Sequence, residues 1–350
     1  MDIFNSNIHQ WYSKFKRDLP WRNTHDPYFI WLSEIILQQT RVDQGLAYYS
    51  KFVDEFPTIT SLAQATEDQV LKLWQGLGYY SRARNLHFTA KYIKDQYYGK
   101  FPDKYHELLL LKGIGHYTAA AIASISFNEQ VPAVDGNVFR VLSRYFGISD
   151  PIDTTQGKKV FTKLAGDLIK GTDPGMHNQA LMEFGALQCT PQKPNCLECP
   201  LMNHCYAYSA NKTADFPVKQ NKTKQRDRYF SYFVLHHEEH TWIKKRLNKD
   251  IWKNLYEFPM IETLSATSIE TLFSMQEVKQ LVSSDFVVGK IVDWKVHLLS
   301  HQKINYRIIS IHKLGESKMP DDLIKVNKAD IFNFAIPKLL EKHIKNGLNE

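Results

Sequence analysis

The four cysteines of this 350-residue chain constrain its fold more than any other feature of the sequence. Cys189, Cys196, Cys199 and Cys205 lie within seventeen residues with the spacing C-x6-C-x2-C-x5-C, and the chain contains no other thiol. The first residues show no basic segment followed by an apolar stretch, so we expect no export signal. Because disulfides are uncommon in proteins that are not exported, the four thiols indicate a metal site.

The spacing of the cysteines favours an iron–sulfur centre and leaves zinc as the alternative. Structural zinc sites usually combine two CxxC pairs, or one CxxC pair with two histidines. Here a single CxxC pair, Cys196 and Cys199, is flanked by gaps of six and five residues. All-thiolate [4Fe–4S] sites accept compact runs of this kind, so iron–sulfur is the preferred interpretation.

The composition excludes wholesale disorder and gives no sign of a membrane protein. Hydrophobic residues make up 43% of the chain and charged residues 23%, a balance that allows a buried core. The longest apolar runs are shorter than the ~20 residues that cross a bilayer. The formal charge of +7 permits an anionic partner without requiring one. We therefore expect a cytoplasmic protein with no membrane contact.

Hydrophobic periodicity divides the chain into an all-α part, residues 1–209, and a mixed α/β part, residues 229–350. Between them, residues 210–228 have few apolar side chains and a basic balance, which predicts an exposed linker. The linker is either a solvated spacer or a segment that contacts phosphates. The predicted helices of the first part are 27–40, 44–56, 67–74, 83–97, 105–111, 116–126, 136–146, 156–169 and 177–186. In the second part we predict strands at 229–236, 241–245, 286–292, 294–299 and 304–312, and helices at 268–282 and 335–345.

Two carboxylic acids stand out in the helical part. Glu34 lies in an otherwise apolar stretch, so it must be paired, for which Arg22 is a candidate, or hydrogen-bonded, or left with a raised pKa. Asp135 precedes an amphipathic helix, where it is either a helix N-cap or a carboxylate directed into a pocket. One protonated and one ionised carboxyl group is the arrangement that cleaves glycosidic bonds.

A pair of glycines, Gly113 and Gly115, separates two predicted helices. Glycines allow a tight turn and the close approach of a ligand to the backbone, and a helix N-terminus can hold a phosphate. The alternative is a simple turn between helices.

Read in order, the motifs resemble those of the adenine DNA glycosylase family, which belongs to the helix-hairpin-helix superfamily with endonuclease III. They are SEIILQQT around Glu34, GLGYYSRARNL at 76–86, LKGIGHYTAAAIAS at 111–124, VDGNVFR at 134–140, NQALMEFGALQC at 178–189 and the cysteine motif at 189–205. The resemblance implies an all-α glycosylase domain with a [4Fe–4S] cluster held by the four cysteines. It also implies an α/β domain similar to the nucleotide-hydrolase (Nudix) fold at the C-terminal end.

The resemblance also implies roles for individual residues. The catalytic residues are Glu34, which protonates N7 of adenine, and Asp135, which stabilises the sugar cation, assisted by Tyr117 and Asn137. The residues of the adenine pocket are Trp21, Arg22 and Gln179. The DNA-binding residues are Gln39, Thr40, Leu77, Tyr79, Gly113, Gly115, Ser300 and His301.

The implied reaction is the removal of adenine mispaired with 8-oxoguanine or guanine in double-stranded DNA. Bifunctional relatives carry a lysine where this chain has Tyr117, so we expect little or no strand cleavage. Ser300 and His301 match the family's Phe-Ser-His loop, whereas Leu299 replaces its phenylalanine. The glycines usual near Lys253 and Asn254 are missing, and so is the acidic helix of nucleotide hydrolases. We expect a monomer associated with the prokaryotic nucleoid.

Two other functions compete with this interpretation. One is an iron–sulfur glycosylase-lyase that acts on oxidised pyrimidines, which Tyr117 and the C-terminal domain oppose. The other is a DNA-binding scaffold or sensor without catalysis, which the retention of Glu34 and Asp135 opposes.

Overall fold

A computed structural model describes residues 2–221, 225–282, 286–314 and 319–345. The chain forms two compact units. The first comprises Met1–Gln64 and Asn85–Lys222, and the second comprises Ala65–Arg84 and Thr223–Glu350. The structure thus groups residues 65–84 with the C-terminal part, whereas the sequence analysis assigned them to the helical domain. No described helix has both the length and the apolarity to cross a membrane.

In its described part, the first unit is built from helices without a strand, as predicted. Asp26 caps its second helix by accepting a hydrogen bond from the Tyr28 amide, which agrees with the predicted N-cap. The helices of the first half of the chain are α1 (Asp2–Phe15), α2 (Pro27–Leu37), α3 (Val42–Glu55), α4 (Ile59–Gln64), α5 (Glu67–Leu73) and α6 (Ser81–Gln96). They are followed by α7 (Tyr105–Leu108), α8 (His116–Phe127), α9 (Gly136–Phe146), α10 (Thr155–Leu168), α11 (Pro174–Leu187) and α12 (Tyr206–Ser209), with short 3-10 turns at Pro20–Arg22 and Met202–His204.

Helix α1 was not predicted, although its apolar residues have helical spacing. Phe4, Ile8 and Trp11 recur at intervals of four and three residues, and all three are buried. They pack with Val138 of α9 and Phe184 of α11 in one hydrophobic core. This core therefore fixes α9 and α11, the two helices that carry much of the site described below.

The second unit contains two sheets. Strands β1 (Arg226–His236), β2 (His240–Lys245), β3 (Tyr256–Glu257), β4 (Met260–Thr263), β5 (Phe286–Leu298), β6 (Gln302–Lys313) and β7 (Ile324–Asn327) form them. The larger sheet has the order β4-β1-β6-β5, in which β1 and β6 are parallel, and the smaller has the order β3-β2-β7. A hydrophobic core packs α13 (Ile269–Ser274) and α14 (Gln276–Leu281) against the larger sheet, and α15 (Lys338–Lys345) lies near the C-terminus.

Three predicted elements of this unit differ from the structure, and strands β3, β4 and β7 were not predicted. The two strands 286–292 and 294–299 form the single strand β5, which continues through two register shifts. The single helix 268–282 is two helices, because Met275 between them has an extended backbone. The last helix begins at Lys338 and not at residue 335, since Pro337 directly precedes it.

The predicted linker 210–228 is less exposed than its composition suggests. Arg228 belongs to β1 and is buried, because Asp250 and Glu262 accept its guanidinium hydrogen bonds at 2.6 to 2.8 Å. Nearer the first unit, the amides of Gln220 and Asn221 donate to the Asp153 carboxylate at 3.0 and 2.8 Å. Basic composition alone did not reveal these partners.

Candidate active site

A cavity of about 540 Å³ in the first unit brings together the predicted catalytic and base-pocket residues. The turn before α2, α2 itself, the starts of α8 and α9, and α11 all contribute to its wall. Nine residues singled out from the sequence line it: Trp21, Arg22, Glu34, Gln39, Thr40, Tyr117, Asp135, Asn137 and Gln179. The two carboxyl groups that were far apart in the sequence thus face one cavity.

Glu34 lies on α2 with only 9% of its surface exposed. Burial raises the pKa of Glu34 to about 7, and the nearby charge of Asp135 acts in the same direction. A hydrogen bond with the Tyr117 hydroxyl acts against this rise by favouring the carboxylate. Glu34 is therefore close to half protonated at neutral pH, as a general acid requires.

Arg22 is paired with Glu183, an acid that the sequence analysis did not single out. The Arg22 guanidinium contacts the two Glu183 carboxylate oxygens at 2.8 and 2.6 Å, and Arg17 adds a second ion pair at 2.6 Å. Burial acts to raise the pKa of Glu183, but the bonds from Arg17 and Arg22 outweigh it and lower the pKa to about 2. Burial keeps the pKa of Glu34 raised, although the nearby charge of Arg22 acts to lower it. The apolar sequence around Glu183 was the signal that could have identified it.

Asp135 caps helix α9 and also lines the cavity. The two interpretations from the sequence, a helix N-cap and a carboxylate directed into a pocket, are therefore compatible. The Asp135 carboxylate accepts hydrogen bonds from the Asn137 and Val138 amides at 2.9 and 2.8 Å and from the Asn137 side chain at 2.7 Å. Burial raises the pKa of Asp135, and these three bonds and Arg140 oppose the rise. Asp135 is thus supplied with donors that favour its ionised form.

The Tyr117 hydroxyl contacts both the Glu34 carboxyl group and the sulfur of Met182. The hydroxyl has one proton, which Glu34 and Met182 Sδ, 3.2 Å away, can each accept. Burial and the two nearby carboxyl groups raise the pKa of Tyr117 well above its ordinary value. The hydroxyl therefore stays protonated and serves as a donor.

Helix α9 connects this cavity to the cysteine loop. Arg140 donates to the Asn137 side chain at 2.8 Å and to the Cys189 carbonyl at 2.7 Å. One helical turn later, Arg144 contacts the Cys189 sulfur at 3.4 Å and donates to the Thr190 carbonyl at 2.7 Å. A single helix therefore holds Asp135 at one end and the first cysteine near the other.

The four cysteines surround a small cavity together with Arg144. All four are partly exposed and none forms a disulfide. In the described part of the chain, no group of three or more His, Cys, Asp or Glu side chains converges on a single metal ion. Four thiols around one cavity are the donor set that an iron–sulfur cluster takes.

The two glycines between α7 and α8 have different surroundings. Gly113 has a φ of 82°, and a β-carbon there would lie 2.7 Å from the Asn85 β-carbon, so the fold itself requires glycine. Gly115 precedes α8 with an extended backbone, and no heavy atom lies within 4 Å of a β-carbon placed on it. The space beside Gly115 at the start of α8 is therefore not filled by another residue.

A second cavity, of about 440 Å³, lies in the second unit. It is lined by the predicted Tyr79, Ser300 and His301, together with Leu299 and Trp252, and the hydroxyl groups of Tyr79 and Ser300 are hydrogen-bonded to each other. Leu77 is buried two residues before Tyr79. The chain thus places its predicted lesion-reading residues around one space.

The turn that lacks the usual glycines keeps left-handed backbone conformations. Trp252 has a φ of 57° and Asn254 a φ of 65°, although non-glycine residues seldom adopt such angles. The Asn254 amide donates to the Arg246 carbonyl at 2.7 Å, and its side chain is hydrogen-bonded to Glu67. These contacts hold the turn that brings Trp252 to the cavity.

Three family models match separate parts of the chain. Residues 32–165 match the HhH-GPD superfamily base excision DNA repair protein. Residues 189–205 match the iron-sulfur binding domain of endonuclease III, and residues 231–346 match the NUDIX domain. The predicted fold class is thus confirmed. The four cysteines hold a [4Fe–4S] cluster, and the zinc alternative is wrong.

Curated relatives match most of the chain. An adenine DNA glycosylase of Buchnera aphidicola subsp. Acyrthosiphon pisum (strain APS) is 40% identical over 258 residues, which cover 73% of this chain and 74% of that protein. An adenine DNA glycosylase of Arabidopsis thaliana is 40% identical over 309 residues, covering 74% of this chain and 49% of that protein.

Solved structures agree with these matches. A thermostable thymine-DNA glycosylase is 31% identical with a TM-score of 0.56, covering 60% of this chain and 96% of that one. An endonuclease III trapped on DNA is 20% identical with a TM-score of 0.52, covering 59% of this chain and 94% of that one, and shows the common fold. The protein is an enzyme, a DNA glycosylase of base excision repair. Taken with the cavity that joins Glu34 and Asp135, the curated relatives show that the chain belongs to the adenine DNA glycosylase family.

Proposed function

We propose that this protein hydrolyses the N-glycosidic bond of adenine mispaired with 8-oxoguanine or guanine in double-stranded DNA and leaves an abasic site. Adenine glycosylase activity follows from the family, while the opposite base and the residue roles are our proposal. The observation that carries it is the shared cavity, in which Glu34 has a pKa of about 7 and Asp135 accepts three hydrogen bonds.

The two carboxyl groups divide the reaction between them. Glu34 transfers its proton to N7 of adenine, so that the bond between N9 and the sugar C1′ breaks with a neutral leaving group. Asp135 remains ionised and stabilises the positive charge that develops on the sugar. A water molecule then forms the new bond at C1′ and gives up a proton to the Glu34 carboxylate, which restores the acid. Asn137 and Tyr117 hold the two carboxyl groups through their hydrogen bonds.

The remaining residues of the cavity position the base. Adenine must leave the helical stack to reach Glu34, at a cost of a few kcal/mol. Trp21, Arg22 and Gln179 enclose it in our proposal, and Gln39 and Thr40 contact the opened duplex. Gly113 and Gly115 form the backbone contact with phosphates.

The second cavity is proposed to read the opposite base. Ser300 and His301 supply polar groups, Tyr79 an aromatic ring, and Leu299 an apolar contact where relatives have phenylalanine. In this proposal residues 1–209 carry out the chemistry, and residues 229–350 together with Tyr79 recognise the lesion. The protein acts as a monomer in the prokaryotic cytoplasm, associated with the nucleoid.

We further propose that the enzyme does not cleave the DNA strand. Strand cleavage by a lyase needs an amine that attacks C1′ and forms a Schiff base. Tyr117 has no amine, and its hydroxyl is already bonded to Glu34 and Met182. Cys189, Cys196, Cys199 and Cys205 would hold the [4Fe–4S] cluster, which would cross-link the loop at residues 189–205.

A panel of duplexes tests this proposal. Adenine opposite 8-oxoguanine, adenine opposite guanine, and thymine glycol are incubated with the protein and then heated in alkali. We expect breaks only in the adenine strand and no covalent trapping with borohydride. Breaks at thymine glycol, or trapping as efficient as that of a bifunctional relative, would contradict the proposal. Binding of these duplexes without any strand break would favour the alternative of a DNA-binding scaffold or sensor that lacks catalysis.

Ser300→Ala tests the role of the second cavity. We expect the preference for 8-oxoguanine over guanine to fall by roughly tenfold, as for one lost hydrogen bond. The control is Ser274→Ala, whose hydroxyl donates to the Thr271 carbonyl of its own helix. An unchanged preference in Ser300→Ala would remove Ser300 from the proposal.

A further inference from the structure

Met182 of α11 lines the catalytic cavity but was not singled out from the sequence. It shares this cavity with Glu34, Tyr117 and Asp135, and it is partly buried against the core that holds α9 and α11. The Tyr117 hydroxyl donates to Met182 Sδ at 3.2 Å. Met182 is therefore in contact with the same hydroxyl that is hydrogen-bonded with Glu34.

The chemistry of sulfur fixes the direction of this hydrogen bond. A thioether carries no proton on its sulfur and can only accept, so the Tyr117 hydroxyl is the donor. That hydroxyl has a single proton, so full hydrogen bonds to Met182 and to the Glu34 carboxylate cannot form at the same time. The two acceptors therefore compete for one proton.

The protonation of Glu34 decides which acceptor holds this proton. An ionised carboxylate accepts a charge-assisted hydrogen bond and outcompetes sulfur, which is a weak acceptor. Once protonated, Glu34 has an O–H group of its own, which the lone pairs of the Tyr117 oxygen can accept. The Tyr117 proton then has the sulfur as its partner, and the bonds run from Glu34 through Tyr117 to Met182.

The sulfur thus gives the hydroxyl a partner in both states of the acid. Without an acceptor at residue 182, protonation of Glu34 would leave the Tyr117 proton unpaired in buried surroundings, which costs free energy. Met182 therefore favours the protonated form of Glu34, which is the form that can donate to a base.

The other groups that face Glu34 are charged or titratable and come from separate elements. Asp135 at the start of α9 acts to raise the pKa of Glu34, and Arg22 of the 3-10 turn acts to lower it. Tyr117 of α8 acts to lower it through its hydrogen bond, and Glu183 of α11 is paired with Arg22. All of these groups remain in place when only residue 182 is changed.

We propose that Met182 is a positioning residue for the Tyr117 proton: its sulfur accepts this proton while Glu34 is protonated and gives it up to the Glu34 carboxylate once the acid has reacted. When water returns a proton to Glu34, the Tyr117 proton turns back to the sulfur. Only the direction of the Tyr117 O–H bond changes, so no covalent bond forms or breaks at either residue. This inference rests on the proposed role of Glu34 as the general acid.

The first test is the pKa of Glu34 in the cluster-loaded protein without DNA, followed by carbon-13 NMR of its carboxyl group. Glu34→Gln identifies the resonance by its absence, and Met182→Leu removes the sulfur at nearly equal side-chain volume. Tyr117 then donates to Glu34 alone, so we expect the pKa of Glu34 to fall by about 0.5 units, as for one weak hydrogen bond. A pKa that stays the same or rises would overturn the proposal.

The second test is the pH profile of single-turnover adenine excision. Met182→Leu should move the fall in rate to lower pH, because less Glu34 is protonated at a given pH. A rate that drops by the same factor at every pH would show lost packing alone and contradict the proposal. Failure of the wild type to excise adenine would instead refute the proposed function, and the NMR comparison keeps the two failures distinguishable.

Tyr117→Phe supplies a background in which the sulfur has no hydroxyl proton to accept. Met182→Leu in that background should leave the pKa of Glu34 unchanged, because the two residues act as one unit. A fall as large as in the single variant would mean that Met182 acts on Glu34 without Tyr117, which the proposal forbids.

The matched control is Met176→Leu. Met176 lies on the same helix as Met182 and is partly buried against the same core, but it is not among the residues that line the cavity. We expect its Glu34 pKa to equal that of the wild type. A fall as large as in Met182→Leu would show a general effect of exchanging a methionine on α11 and overturn the inference.

Discussion

At the scale of single residues, the site depends on a difference between two carboxyl groups. Glu34 sits in apolar surroundings with one hydrogen bond from a tyrosine, and burial raises its pKa to about 7. Asp135 sits at the start of α9, where two amides and one side chain donate to it. Burial raises the pKa of both groups, but Asp135 has three hydrogen-bond donors that oppose the rise, which favours Glu34 as the proton donor and Asp135 as the charged group.

The pH dependence of excision follows from Glu34. A general acid works only while protonated, so we expect the single-turnover rate to be level below pH 7 and to fall about tenfold per pH unit above it. Tyr117→Phe removes the bond that lowers the pKa of Glu34, so the fall should move to higher pH. A profile measured for both proteins between pH 5 and 9 checks this. A shift to lower pH in Tyr117→Phe would contradict the assignment.

Much of this residue-level account could be predicted from the sequence. A glutamate within an apolar helix was recognisable as unusual, and the motif around Asp135 supplied its counterpart. The sequence did not reveal the ion pair between Glu183 and Arg22, because the two residues are 161 positions apart and come into contact only in the folded chain.

At the scale of elements, two helix starts position candidate site residues. Helix α9 begins beside Asp135, and α8 begins after the glycine turn. Both helices were predicted within one residue, because their apolar periodicity is strong and their ends carry caps or glycines. Strand β5 was predicted as two strands, because register shifts within a continuous strand interrupt the alternation that marks it.

The glycine turn offers a matched pair of substitutions. Gly113→Ala places a β-carbon against Asn85 at a positive φ, so we expect the free energy of unfolding to fall by about 1–3 kcal/mol. Gly115→Ala meets open space and should cost about 0.5 kcal/mol while weakening duplex binding. Chemical denaturation and a binding titration check the two outcomes. Equal destabilisation by both, with unchanged binding, would mean that the turn is purely structural.

At the scale of the whole molecule, two compact units carry two candidate sites. The first unit holds the catalytic cavity and the cysteine loop, and the second holds the cavity around Ser300 and His301. The order of folds along the chain could be predicted, because periodicity and motifs are local properties. The grouping of residues 65–84 with the C-terminal part could not, because it depends on long-range contacts such as the ion pair of Asp68 with Lys245.

The most direct test of the account is single-turnover excision of adenine opposite 8-oxoguanine by Glu34→Gln. We expect the rate to fall by a factor on the order of 10³, the contribution of a general acid, while duplex binding stays within about threefold because phosphate contacts dominate affinity. Because the pKa of Glu34 is 4.5 in the unfolded chain and about 7 in the folded protein, the wild type loses folding stability as the pH rises from 4.5 to 7. At pH 8 the folded variant should therefore be more stable, by up to roughly 3 kcal/mol. Excision within tenfold of the wild-type rate, or a parallel loss of binding, would contradict the claim that Glu34 is the acid.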